Sequence, residues 1–170
     1  GNITAIKYNT PGDASKGGTY DAHYLIGNYY QYNTATAGTG AAVTTDGANA
    51  SASICPSGTG GNWVLPLSGT ANNNVSGSFY NLLNQYNATS GTSGATTIVQ
   101  LPLAFVRSDA VRLVEGSVRY AGYSGYGWSR TASSSTNAYY LDFVPTGVYP
   151  SNGYHRWYGF PLRCLYPGSA

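Results

Sequence analysis

Apolar and polar positions alternate most clearly in the last third of the chain. Over residues 138–144, Tyr139, Leu141 and Phe143 alternate with Tyr140 and Asp142, the two-residue period of a strand with one face on a core. Asp142 falls on the solvent side of that pattern. A shorter run at 126–130 precedes it across a serine-rich turn. Pro145, Gly147, Pro150, Asn152 and Gly153 follow as turn residues. A last run, 158–165, puts Phe160, Leu162 and Cys164 on one face and Trp157, Gly159, Pro161 and Arg163 on the other. Together these predict one antiparallel unit with a core on its strands and aromatic, polar connections.

Weaker patterns occupy the rest of the chain. Residues 2–8 alternate as a short strand, with Ile3 and Ala5 opposite Thr4, Ile6 and Tyr8, and Pro11-Gly12-Asp13 turns after it. In 20–32, Tyr24, Leu25 and Ile26 are expected in the core, with Tyr29, Tyr30 and Tyr32 partly buried. Residues 34–43 support a helical turn or two, weakened by Gly38 and Gly40 by about 1 kcal/mol each. A polar connection spans 44–53. The best helix starts at Ser76 or Ser78, either of which can cap, and runs to Tyr86; Phe79, Leu82, Leu83 and Tyr86 form its apolar face. That face should pack on strands carrying Leu141, Phe143, Phe160 and Leu162. A glycine-, serine- and threonine-rich loop follows. The apolar run 98–107 then predicts a buried strand or irregular core segment around Pro102, and 111–120 a further strand or an entry loop. No repeat of fixed period is present. One helix, mostly antiparallel strands and long loops make an α+β chain, read as a single domain over 1–170, with residues 1–10 as an extra or exchanged strand.

Charge changes this picture more than apolar content does. Only 8% of residues are charged, against a usual figure of about 25%, and the net charge is +2. With no Lys/Arg run, the chain lacks the footprint of a nucleic-acid binder. Its apolar runs are too short to insert in a membrane. A surface of Ser, Thr, Asn, Gly and Tyr, kept in solution by hydrogen bonding, fits an extracellular or cell-surface protein. A chain beginning at Gly1 is expected to be a processed, exported form. Asn2, Asn49, Asn74 and Asn87 each open an Asn-x-Ser/Thr sequon.

Two blocks of residues carry a family resemblance. One is Gly125-Tyr126-Gly127-Trp128-Ser129, then Asn137-Ala138-Tyr139-Tyr140-Leu141-Asp142-Phe143, then Trp157-Tyr158-Gly159-Phe160-Pro161-Leu162-Arg163-Cys164. The other is Ser53-Ile54-Cys55-Pro56-Ser57-Gly58, then Trp63-Val64-Leu65-Pro66 and Phe79-Tyr80-Asn81-Leu82-Leu83. They resemble the Fibrobacter succinogenes major paralogous domain, a secreted bacterial family similar to C-type lectin-like folds. The family's Cys-Pro-x-Gly-Trp turn is lengthened here by Thr59-Gly60-Gly61-Asn62. The resemblance covers residues 53–165 and implies a C-type lectin-like fold in which Trp128, Tyr158 and Phe160 are structural. Composition, the resemblance and the absence of other cysteines agree on a disulfide between Cys55 and Cys164.

Catalytic and metal signatures are weak. The acidic residues Asp13, Asp21, Asp46, Asp109, Glu115 and Asp142 form no recognisable acid/base pair. His23 and His155 lack a nucleophile elbow or a third zinc ligand, and no calcium loop or phosphate loop is written in the chain. The expectation is a protein that is not an enzyme and uses no cofactor or metal. Aromatic and polar display remains: Tyr123, Tyr149, Asn152, Tyr154, His155, Arg156 and Trp157 sit at or beside predicted turns, where they suit a glycan or a surface protein as partner. The favoured reading is a secreted or surface adhesion module. Two others fit the same features: a structural subunit of an extracellular filament or layer, self-associating through the N-terminal strand, and a ligand-diversified receptor-binding protein.

Overall fold

The alternating run near the end of the chain is the middle strand of a three-stranded antiparallel sheet. The computed structural model describes residues 6–9, 17–20, 28–58, 62–70, 73–85, 110–112, 117–119, 125–144 and 147–166. Among them the strands are β1 (Ile6–Asn9), β2 (Gly17–Tyr20), β3 (Ser68–Thr70), β4 (Asn73–Gly77), β5 (Ala110–Arg112), β6 (Ser117–Arg119), β7 (Gly125–Ala132), β8 (Asn137–Val144) and β9 (Gly147–His155). The helices are α1 (Tyr32–Ala35) and α2 (Ser78–Gln85), with a 3-10 turn at Thr39–Ala42. The sheet order is β7-β8-β9, and three two-stranded antiparallel pairs, β1-β2, β3-β4 and β5-β6, accompany it. The α+β class follows directly from this mixture. No helix among the described residues is long and apolar enough to cross a membrane.

Several expected elements take a different form. The region 145–153, read as turns, is mostly strand: β9 runs through Pro150, Asn152 and Gly153. Opposite pairs shift from Asp142↔Tyr149 to Tyr140↔Asn152, so Pro150 and Ser151 face the single residue Leu141. A proline lacks the N–H that a regular ladder needs, and a bulge on an edge strand is where it is tolerated. The run 158–165 is not a continuous strand. It touches neighbours at isolated bridges, Phe160 with Tyr30 and Leu165 with Val64, on either side of Pro161. The described residues of the run 111–120 belong to β5 and β6, which pair with each other. Of the N-terminal strand, Ile6–Asn9 are described, and their backbone pairs within the chain, Ile6↔Tyr20 to Asn9↔Gly17. The expected strand at 98–107, the side chains of Leu82, Leu83 and Phe143, and Tyr24, Leu25 and Ile26 lie outside the described residues.

Both faces of β8 are covered over 139–141: Tyr139, Tyr140 and Leu141 are all buried, so Tyr140 is not outward as the alternation suggests, while Asp142 is half-buried. One face carries Trp128 and Tyr140, directly paired across β7 and β8, and Phe160 lies over both rings at 4.2 and 4.8 Å between centroids. Tyr126 stacks on Phe160 at 5.0 Å, and Tyr32 meets Trp128 edge-on at 5.7 Å. Phe160 therefore packs on the face opposite Leu141 rather than beside it. β3 packs against all three strands, and Phe79, at the start of α2, is buried. The helix begins at Ser78, whose hydroxyl accepts from Leu67 N–H at 3.0 Å.

Two long-range ties close this arrangement. Cys55 and Cys164 are disulfide-bonded across 109 positions. The outer edge of β7 is covered too: Ala132 N–H donates to Ala48 O, Ala50 N–H to Arg130 O, and Arg130 N–H to Pro66 O. These bonds use a bulge in β7 between Trp128 and Ala132, where the Ser129 hydroxyl accepts from Thr131 N–H and donates to Tyr139 O. An otherwise exposed strand edge is thereby satisfied.

Phe160 is the ring that Tyr126, Trp128, Tyr140, Tyr154 and Tyr158 share. Replacing Phe160 with Ala is expected to cost about 3–5 kcal/mol in a denaturant melt. A loss below about 1 kcal/mol would place the core elsewhere.

Candidate functional site

β9 delivers Arg156 and Trp157 to a place where three distant stretches converge. Arg156 is only 7% exposed, buried although it carries a charge. Its Nε donates to Asn137 O at 3.1 Å and its Nη1 to Gly40 O at 2.7 Å, while Nη2 donates to both Val43 O and Ser134 O. The guanidinium carbon lies 4.9 Å from the centre of the Tyr32 ring, a cation–π contact. Its backbone joins the same junction: Arg156 N–H donates to Thr136 O, and Tyr32 N–H donates to Arg156 O. No carboxylate is among these partners. Burial lowers the Arg156 pKa and pushes the Tyr32 phenol up to about 12.

Local sequence explains how the stretches reach the guanidinium. α1 ends at Thr36, whose hydroxyl donates back to Tyr32 O at 2.8 Å and accepts from Gly40 N–H at 3.1 Å. Gly38, at φ 82°, reverses the chain between α1 and the 3-10 turn. A side chain at Gly40 would stand 2.4 Å from Thr36 Oγ1 and 2.6 Å from the Tyr32 ring, so only glycine lets the 40–43 carbonyls approach. The β7–β8 turn is shaped by Ser134, whose hydroxyl accepts from Thr136 N–H at 3.2 Å and Asn137 N–H at 3.0 Å. That turn directs the Ser134 and Asn137 carbonyls inward.

Beside Arg156 opens a groove of about 310 Å³, lined by Gln31, Asn33, Ala41, Ser135, Thr136, Arg156 and Trp157. Its walls offer amides, hydroxyls and one indole. Trp157 is 38% exposed and stacks on His155 at 5.5 Å and 11°. It also leans on Tyr158 at 4.3 Å. Tyr158 in turn meets Tyr154 edge-on at 4.5 Å, and Tyr154 meets Tyr140 at 6.2 Å. A chain of rings thus runs from the buried face of the sheet out to Trp157, which positions the exposed indole through packed aromatics rather than a free loop.

The residues singled out in the sequence separate into groups. Arg156 and Trp157 line the groove, and His155 backs the indole. Arg156 is a buried tie between loops and not an exposed contact. Tyr154 is exposed and belongs to the ring chain. Tyr149 is exposed on β9 opposite Asp142, and Asn152 donates to Asp142 Oδ2 at 3.0 Å; neither lines the groove. Tyr123 lies outside the described residues. Gln31, Asn33, Ser135 and Thr136 were not singled out. Their signal was present as polar residues interleaved with Tyr30 and Tyr32, and as the serine-rich turn after β7.

Among the described residues no three of His, Cys, Asp and Glu group closely enough to hold a metal ion. Compared with known proteins, the chain matches no family model, no curated protein and no solved structure.

Asp142 sits apart from the groove under electrostatic stress. Its Oδ1 is buried without a hydrogen-bond partner, and burial raises its pKa above the usual 3.8, partly offset by the Asn152 bond. The neighbouring Tyr140 phenol is pushed up by burial and by Asp142. A raised folded-state pKa favours folding fully below pH 3.8, and that contribution is lost as pH rises through the folded value. Asp142→Asn is expected to raise stability at neutral pH, with the gain over wild type shrinking as the pH falls towards 3.8. Equal melts for the two proteins at neutral pH would show that the buried carboxylate carries no penalty.

Proposed function

We propose that this chain is a non-catalytic binding module of the extracellular space or cell surface, with a C-type lectin-like fold of the kind its sequence motifs resemble. It recognises a glycan through the groove beside Trp157. The observation that carries this reading is the composition of the groove. An exposed indole held by stacked rings stands beside the amides of Gln31 and Asn33 and the hydroxyls of Ser135 and Thr136. A sugar ring offers a C–H face to an aromatic plane and hydroxyls to amides and hydroxyls, so the two surfaces are complementary. At about 310 Å³ the groove is at the small end of ligand sites, roughly 300–1,000 Å³. That suits one or two sugar rings better than an extended protein epitope.

A binding role, rather than catalysis, is supported by the lining, whose described residues include neither a carboxylate nor a histidine to act as acid or base. The disulfide supports an oxidising compartment. A filament subunit is the second reading. It is favoured by a separate pair of exposed rings, where Trp63 and Tyr166, 40% and 48% exposed, meet at 5.5 Å.

Trp157→Ala and Asn33→Ala, tested singly on a glycan array and then by titration with the best binder, are each expected to weaken binding about tenfold or more. Melting temperatures should move by only a few degrees, because both side chains are on the surface. Normal binding by both folded variants would exclude the groove. Filaments of wild-type protein that persist in both variants, without glycan binding, would establish the filament reading instead.

A further inference from the structure

Among the described residues the Arg156 cation has no counter-ion, and its position gives the groove a charge preference. Four of the five guanidinium N–H groups donate to carbonyls: one from Nε, one from Nη1 and two from Nη2. The fifth, on Nη1, is used by none of these bonds. The remaining contact is the face of Tyr32, a phenol that stays neutral at physiological pH. Carbonyl dipoles satisfy donors but leave the net charge in place, and in a buried site that charge is weakly screened. Arginine cannot escape the cost by losing its proton. Among the described residues, the lining of the groove contains no acidic side chain to repel an anion.

We propose that the groove takes a saccharide bearing a carboxylate, of the uronic-acid type, with its anion directed at Arg156. This rests on the glycan reading above. Trp157 would stack on the ring, and Gln31, Asn33, Ser135 and Thr136 would meet the hydroxyls. A single remaining N–H matches one carboxylate oxygen. A phosphate or sulfate presents three oxygens to be satisfied, and the neutral amides and hydroxyls here are arranged around an indole rather than as an anion cradle.

The test keeps the protein unchanged and alters the ligand. A uronic-acid oligosaccharide is titrated against the wild-type chain by calorimetry, alongside the same oligosaccharide after reduction of its carboxylates to primary alcohols. The acidic form is expected to bind about tenfold or more tightly, as one charge-assisted hydrogen bond permits. Ser135→Asp places a carboxylate on the exposed wall of the groove, at a residue whose side chain forms no hydrogen bond among the described residues. It should weaken binding of the acidic form far more than that of the reduced form, and so remove the preference. Equal binding of the two forms by wild-type protein would overturn the charge assignment and leave the glycan reading standing. Failure of both forms to bind, with neutral glycans bound through Trp157, would overturn it in the same way. Failure of every glycan to bind would overturn both. A preference for the acid that Ser135→Asp does not reduce, with the variant folded by circular dichroism, would place the anion site away from this groove.

Discussion

A buried guanidinium surrounded by backbone carbonyls is the constraint on which the described site depends. Arg156 draws Gly40 and Val43 from the turn after α1, and Ser134 and Asn137 from the β7–β8 connection, onto one planar cation. Each carbonyl would otherwise have one partner fewer; Gly40 O would keep only Val43 N–H, and Asn137 O the N–H groups of Ser133 and Ser134. The fork geometry matters as much as the charge. A lysine ammonium is a point donor and cannot face four carbonyls in a plane around its rim. In a chain with only 8% charged residues, carbonyl dipoles do here what carboxylates do in more charged proteins. Among the described residues the cation's hydrogen bonds go to carbonyls alone.

The aromatic core supplies the rigidity that this tie needs. Trp128, Tyr140 and Phe160 form a close cluster on one face of the sheet, and the Trp128 indole N–H donates to Tyr30 O at 2.8 Å. That bond, with the two-way bridge between Tyr30 and Phe160, fixes the strand-like segment leading into α1. Tyr32 is then placed under Arg156, and its hydroxyl donates to Arg130 O at 2.8 Å, back on β7. Packing therefore determines where Gln31 and Asn33 stand, since they alternate with Tyr30 and Tyr32. The same ring cluster continues through Tyr158 and Tyr154 to His155 and Trp157. The groove is assembled from both ends of one aromatic core.

Much of this could be read from residue order. Alternation located β7 and β8 to within a few residues, Ser78 is one of the two serines expected to start α2, and the pair of cysteines forms the expected disulfide. Trp128, Tyr158 and Phe160 were expected in the core and are buried. What escaped was whatever depends on distant backbone. Pro150 reads as a turn residue, but it occupies a strand because a bulge removes the need for its N–H. Tyr140 reads as outward, but Phe160 covers it. Arg156 reads as a surface contact because charged residues usually are. Its burial is made tolerable by carbonyls up to 116 positions away, and a carbonyl looks the same at every residue in a sequence. The groove's polar lining escaped for a related reason, since Ser135 and Gln31 become neighbours only after the sheet and α1 have docked.

Arg156→Lys, followed by amide hydrogen exchange, tests this account most directly. The variant keeps the charge and most of the volume but cannot span the four carbonyls. If the guanidinium holds the loops together, the variant should stay folded, with β7 and β8 still protected. Amides at 36–43 and 133–137 should then exchange about ten times faster or more, as local opening becomes easier. Unchanged protection in both segments would contradict the account, showing that the loops hold their positions without the arginine.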